Sequence, residues 1–204
     1  EGYSLKDMAS DAVAVLDDLA IKKAHVFGVS LGGMIAQTFA IDFPERILSL
    51  ISVMSTTGDS DVGRPTDEAR ALLLTPGSTN REQAIELHLA GKHVWGSPGH
   101  IDEQNERHFA GEVFDRACRP KGVGRQYKAA RADRSRSDRL RALKVPTLVI
   151  HGDQDTLIDI SGGRRTADVI PQAQFLEVEG MGHDYPEYFW TILVTAVREH
   201  CQNI

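Results

Sequence analysis

A chain of 204 residues suffices for one domain with a sizeable core, and 41% hydrophobic with 25% charged residues reads as soluble and globular. The net charge of -6 gives no reason to expect nucleic acid or an anionic membrane surface as partner, and no apolar run is long enough to span a bilayer. The two cysteines, Cys118 and Cys201, lie far apart without metal-type spacing. They read as reduced thiols in a reducing compartment, which with the absence of a signal-peptide pattern points to the cytoplasm.

Leu5, Met8, Ala12, Val15, Leu16 and Leu19 recur at three- and four-residue steps. The spacing predicts an amphipathic helix from about Ser4 to Ala20, with Ser4 as N-cap and Asp7 in an acidic first turn. "AHVFGV" (Ala24 to Val29) is short, apolar and partly β-branched, so it reads as a buried strand. A helix follows from Leu31 to about Asp42, with Pro44 just beyond its end, and "RILSLISVM" (Arg46 to Met54) reads as a second buried strand. From Gly58 to about Leu143 strand signals are weak, and charged helical segments alternate with breakers such as "TPGS" and "GSPGH". "PTLVIHG" (Pro146 to Gly152) restores the strand pattern. A helix is predicted from about Ser161 to Ile170, a final strand from Ala173 to Glu179, and a closing helix with Pro186 in its first turn.

This alternation is the grammar of an α/β protein with a parallel sheet. The core is expected to comprise residues 1–57 and 144–204. Residues 58–143 are expected to form a helical cap or lid over the carboxyl ends of the strands, where open α/β sheets bind ligands.

One stretch in the core carries chemistry. In Gly28-Val29-Ser30-Leu31-Gly32 a serine sits on a sharp turn between strand and helix. The residues two before and two after must be small to avoid collision, and both are glycine. Such a turn lifts the hydroxyl above the sheet and aims the Leu31 amide at the place where an oxyanion would form. A serine needs a base to take its proton. Of the eight histidines, His25 and His151 sit in strand patterns, His88, His93, His100 and His108 in the helical segment, and His200 near the tail. His183 lies in "GMGHDYP", a glycine-flanked loop just after the last strand, and is the candidate base. The base needs an acid to fix its tautomer. "HGDQDTLID" offers Asp153, Asp155 and Asp159; Asp155 is favoured, Asp153 is the alternative, and Asp159 is placed to cap the next helix.

The order serine, acid, histidine is characteristic of one triad-bearing fold. "GVSLGG", "VPTLVIHGDQDTLI" and "VEGMGHDYPE" resemble the nucleophile elbow, acid loop and histidine loop of the α/β-hydrolase superfamily. "GVGRQYKAARADRSRSDRLRALKVPTLVIHG" is similar to a bacterial subgroup that includes aclacinomycin methylesterase-like hydrolases. The resemblance implies Ser30 as nucleophile, Asp155 as acid, His183 as base and Leu31 as one oxyanion-hole amide. It implies a serine hydrolase of a small carboxylic ester, acting without metal or organic cofactor. Lactonase, carbon–carbon hydrolase and cofactor-free perhydrolase or haloperoxidase chemistry share the same triad, and a non-catalytic ligand-binding protein can share the fold.

Two departures stand out. The acid loop of the family commonly continues Asp-Pro, whereas Asp155 is followed by Thr156; a modest shift of the turn is expected, with the acid kept. Family members also carry several strands before the first helix seen here, one of whose loops supplies the second oxyanion amide. With that neighbour missing, "AHVFGV" would present an apolar edge, and the 204-residue chain expressed alone is expected to be poorly soluble and nearly inactive.

The remaining features read as ordinary. Arg125, Arg131, Arg134, Arg136, Arg139 and Arg141 form a basic run interrupted by aspartates, expected as a solvated, partly ion-paired helix face. His88, His93 and His100 lack the spacing of a helical zinc pair, and "SGGRR" (Ser161 to Arg165) lacks that of a phosphate loop. Trp95, Phe109 and Phe114 either pack the helical segment or line a substrate pocket.

Overall fold

The computed structural model describes residues 2–202. Four parallel strands, β1 (Ala24–Val29), β2 (Ile47–Val53), β3 (Thr147–Gly152) and β4 (Gln174–Val178), lie side by side in chain order. Helices α1 (Leu5–Asp18) and α2 (Leu31–Asp42) flank β1 in sequence. Between β2 and β3 the chain passes through α3 (Asp67–Leu73), α4 (Arg81–Trp95), α5 (Glu103–Arg116), α6 (Pro120–Ala132) and α7 (Ser137–Leu140). Helix α8 (Ser161–Val169) joins β3 to β4, and α9 (Trp190–Gln202) closes the chain.

The register positions the site. Val29 pairs with Val53, Val53 with Ile150, and Gly152 with Val178. The carboxyl ends of the strands therefore align, and Ser30 and the loops after β3 and β4 leave the sheet along one rim. Strands β2 and β3 are buried on both faces, as near-continuous apolar runs require. Successive side chains serve opposite sides of the sheet. Leu50 packs with Ala9, Phe39, Leu140 and Ile170, while Ile51 packs with Ile150, Met181 and Phe189. Strand β1 lies at one edge of the described sheet, where Phe27 is 54% exposed beside an apolar hollow of about 460 Å³ shared with Tyr185, Trp190 and Val194.

Local chemistry explains the element ends. Ser4 caps α1 through a reciprocal box: its Oγ accepts the Asp7 amide at 3.2 Å, and Asp7 Oδ2 accepts the Ser4 amide at 2.8 Å. The helix stops at Asp18, two residues short of Ala20, which adopts a left-handed φ of 54°. Strand β2 starts one residue later than the pattern predicts, because Pro44–Arg46 form a 3-10 turn. That turn sends the Arg46 guanidinium back to the carbonyls of Ile21 and Lys22. Pro186 likewise precedes a 3-10 turn, Glu187–Phe189, so α9 begins only at Trp190.

The basic run before β3 requires a correction. Arg139 and Arg141 have largely exposed side chains, but Arg136 is fully buried. Its guanidinium donates to Gln37 Oε1 at 3.1 Å, to the Thr56 carbonyl at 2.7 Å and to Asp133 Oδ2 at 2.6 Å. Gln37 in turn donates to Ser52 Oγ at 3.1 Å. A buried charge needs this saturation of its donors, and here it ties the approach to β3 to α2 and to the end of β2.

Candidate active site

Ser30 leaves β1 with φ 56° and ψ -119°, a sparsely populated geometry for a residue with a Cβ. Three groups hold it there. Its amide donates to the Val53 carbonyl at 2.9 Å, and its carbonyl accepts the Gly33 amide at 2.9 Å and the Ser55 hydroxyl at 2.8 Å. The turn demands glycine at Gly28, where a Cβ would sit 2.1 Å from the Gly32 carbonyl oxygen. Gly32 itself faces open space; the second crowded position is Gly33, whose Cβ would lie 2.5 Å from that of Ser55. The glycine required after the serine is therefore Gly33, demanded by the packing of α2 against Ser55, and not Gly32, where the sequence pattern places the constraint. The Leu31 amide is the first of α2, so no preceding turn of helix accepts it.

Ser30, His183 and Asp155 come together although His183 is 153 residues from Ser30. The Ser30 hydroxyl donates to His183 Nε2 at 2.9 Å, and His183 Nδ1–H donates to Asp155 Oδ2 at 2.7 Å. The Asp155 side chain is fully buried and that of His183 nearly so. Burial pushes the Asp155 carboxyl up, but the N–H groups of His151 and His183 outweigh it and hold the group below the usual carboxylate range. Its other oxygen accepts the amides of Leu157 and Ile158 at 2.9 and 2.8 Å. Asp153, the alternative acid, instead receives the Gly180 amide at 2.7 Å, and Asp159 receives the Ser161 amide at the start of α8.

Helix α4 docks directly on the two loops that carry the acid and the histidine. Its last carbonyls, left free by the helix end, accept from both. Thr156 Oγ1 donates to the Val94 carbonyl at 2.7 Å, and the His183 amide donates to the Trp95 carbonyl. The threonine that replaces proline after the acid thus supplies a hydroxyl that proline lacks. Gly182 permits the close approach, since a Cβ there would lie 2.5 Å from the Gly96 backbone. Asp184 completes the joint. Its Oδ1 accepts the Ser97 amide at 2.9 Å and hydroxyl at 2.6 Å, and its Oδ2 faces Lys92 Nζ at 3.2 Å. Lys92 also meets Glu106 of α5 at 2.9 Å, and His88 meets the other oxygen of Glu106 at 2.7 Å. Burial pulls the Lys92 ammonium down, but Glu106 and Asp184 outweigh it and raise its pKa.

Sequence reasoning missed Asp184, Lys92, Ser55 and His151. Only Asp184 carried a signal, its place next to His183. Trp95 packs its ring on Gly91, and Phe109 is 55% exposed beside the His88 ring. Among the described residues, no group of three or more His, Cys, Asp or Glu side chains could hold a metal ion, and no helix is long and apolar enough to cross a membrane.

The chain matches the family model of the alpha/beta hydrolase fold over residues 1–187, and it belongs to that family. It is 29% identical to a rhodomycin D methylesterase of Streptomyces sp. (strain C5), over 97% of this chain and 73% of that protein. Its structure is similar to an esterase from Exiguobacterium antarcticum, with a TM-score of 0.80 at 19% identity, covering 99% of this chain and 75% of that one. It is also similar to a meta-cleavage product hydrolase from Pseudomonas fluorescens IP01, with a TM-score of 0.70 at 22% identity, covering 98% and 70%.

Proposed function

We propose that the protein hydrolyses a small carboxylic ester through an acyl-enzyme formed on Ser30. The supporting observation is the unbroken hydrogen-bond line from Ser30 Oγ through His183 to Asp155, on the rim of the sheet. As the serine oxygen attacks the ester carbonyl, His183 Nε2 takes its proton and then delivers it to the departing alkoxide. In the second half His183 deprotonates water, which attacks the acyl-enzyme; the bond between the acyl carbon and Ser30 Oγ breaks, the acid leaves, and His183 Nε2 returns the proton to Ser30 Oγ. Asp155 keeps the Nδ1–H tautomer and stabilises the imidazolium formed in each half. The Leu31 amide, with the positive end of α2 behind it, stabilises the developing oxyanion. Helices α3 to α7 serve as the lid that shapes the acyl pocket, held by the α4 joint. The likeness to a methylesterase favours a methyl ester as substrate.

The test is turnover of methyl and longer alkyl esters by the full-length protein and its Ser30→Ala variant. The variant should lose at least ~10³-fold in kcat with the fold intact. Equal turnover in the two proteins would exclude the mechanism.

A further inference from the structure

Strand β3 ends in a histidine that the triad does not include. The His151 side chain is fully buried. Its Nε2 lies 2.8 Å from the Ile158 carbonyl oxygen and 3.2 Å from Asp155 Oδ2. Both neighbours are acceptors, so Nε2 carries a proton. The other ring nitrogen, Nδ1, is buried without a hydrogen-bond partner, against α8, where a Cβ on Gly163 would come within 2.4 Å of it. A second proton at Nδ1 would be a buried N–H with nothing to accept it. The imidazole is therefore held neutral, in the Nε2–H tautomer.

We propose that His151 is a positioning residue for the acyl-transfer reaction: its Nε2–H binds the Ile158 carbonyl and flanks Asp155 Oδ2, fixing the acid turn at both ends. The inference rests on the acyl-transfer reading of Ser30 and His183. Asp155 Oδ1 is occupied by two backbone amides, and Oδ2 accepts the His183 N–H. The His151 N–H dipole lies beside that same Oδ2. Together these groups keep a solvent-free carboxylate ionised and aimed at His183.

Other charged groups on the surrounding elements are engaged elsewhere. Asp153 takes the Gly180 amide, and Asp159 the Ser161 amide. Glu177, the register partner of His151 on β4, pairs with Arg164 of α8 at 2.8 Å. Arg165 of α8 pairs with Asp59 and Asp61. His183 is thus the neighbour through which His151 acts. Without the Nε2–H dipole the carboxylate becomes more basic, the His183 imidazolium is better stabilised, and the acid limb of kcat/KM moves to higher pH. The loosened turn also lowers kcat.

Two measurements test this. Nitrogen-15 NMR of the histidines in the full-length protein at about pH 8 should show His151 protonated on Nε2 and unprotonated on Nδ1. A His151 protonated on both nitrogens there, or an Nδ1–H tautomer, overturns the proposal. The NMR readout needs no turnover, so it decides His151 even if Ser30→Ala refutes the acyl-transfer reading. Then kcat/KM against pH is compared for His151→Leu and His151→Gln, the glutamine amide being able to donate near the lost N–H. The leucine variant should lose about tenfold or more in kcat, with its acid limb raised by roughly half a pH unit or more. Glutamine should recover most of both. An unmoved acid limb in a folded leucine variant, or a glutamine variant as impaired as leucine, overturns the proposal.

Discussion

At the carboxyl ends of β1 and β3, the backbone does the placing; across α4 and α5, charge does. The serine turn is set by crowding: Gly28 against the Gly32 carbonyl and Gly33 against Ser55 leave the chain one path. The helical segment instead meets the histidine loop through a half-buried chain of charged and polar groups, Asp184, Lys92, Glu106 and His88. Steric placement is short-range, rigid and indifferent to pH. Charged placement is long-range, conditional on ionisation, and strongest where water is excluded. A site built this way keeps its nucleophile fixed while the docking of the helices above it depends on a few titratable partners.

Substitutions at the turn should have the largest effect. Gly28→Ala forces a Cβ into backbone and should destabilise by more than about 4 kcal/mol, read as loss of the cooperative thermal transition. Gly32→Ala, facing open space, should stay within about 1 kcal/mol of the wild type. If the two variants melt alike, crowding is not what sets the turn.

The charged joint should respond more mildly. Lys92→Met leaves Asp184 and Glu106 without their shared cation and should cost about 1–3 kcal/mol, lowering Tm by about 3–10 °C. Because α4 also receives the His183 amide, KM for an ester should rise as well. A variant with wild-type Tm and KM would mean that the joint does not depend on Lys92.

The smallest expected effect appears in acid. Burial pushes the Asp59 carboxyl up, but the hydroxyls of Ser135, Ser137 and Thr57 and the Arg165 guanidinium outweigh it and hold it at about 2 against an ordinary 3.8. The folded-state pKa is depressed, so the unfolded chain takes up the proton first. The contribution is complete above about pH 4 and is lost as pH falls toward 2. Asp155 acts in the same sense. Denaturant midpoints measured from pH 6 to 2.5 should fall, and more shallowly in Asp59→Asn. Parallel curves for the two proteins would remove Asp59 from the account.

The contrast between the two regions also explains what could be read from sequence. Strand alternation, the Ser4–Asp7 cap and the glycines around Ser30, Asp155 and His183 are local signals, because period and φ restrictions are properties of neighbouring residues. They sufficed to place the strands and helices along the chain and, with the family resemblance, to select three residues that meet in space. Arg136 looked like one more exposed arginine of a basic run, because its partners Gln37 and Thr56 lie 99 and 80 residues away. Lys92 and Asp184 are 92 residues apart, and nothing local pairs them. His151 was hidden differently: its place in β3 is evident, but its reach to Ile158 and Asp155 depends on how the following loop turns back.

The central claim is that Ser30 is an activated nucleophile. The direct measurement is labelling of the folded, full-length protein with a fluorophosphonate probe, followed by intact mass and peptide mapping. The account predicts a single adduct on Ser30, suppressed in His183→Ala and absent in Ser30→Ala. No adduct on the folded protein, or an adduct on another serine that survives Ser30→Ala, would contradict it.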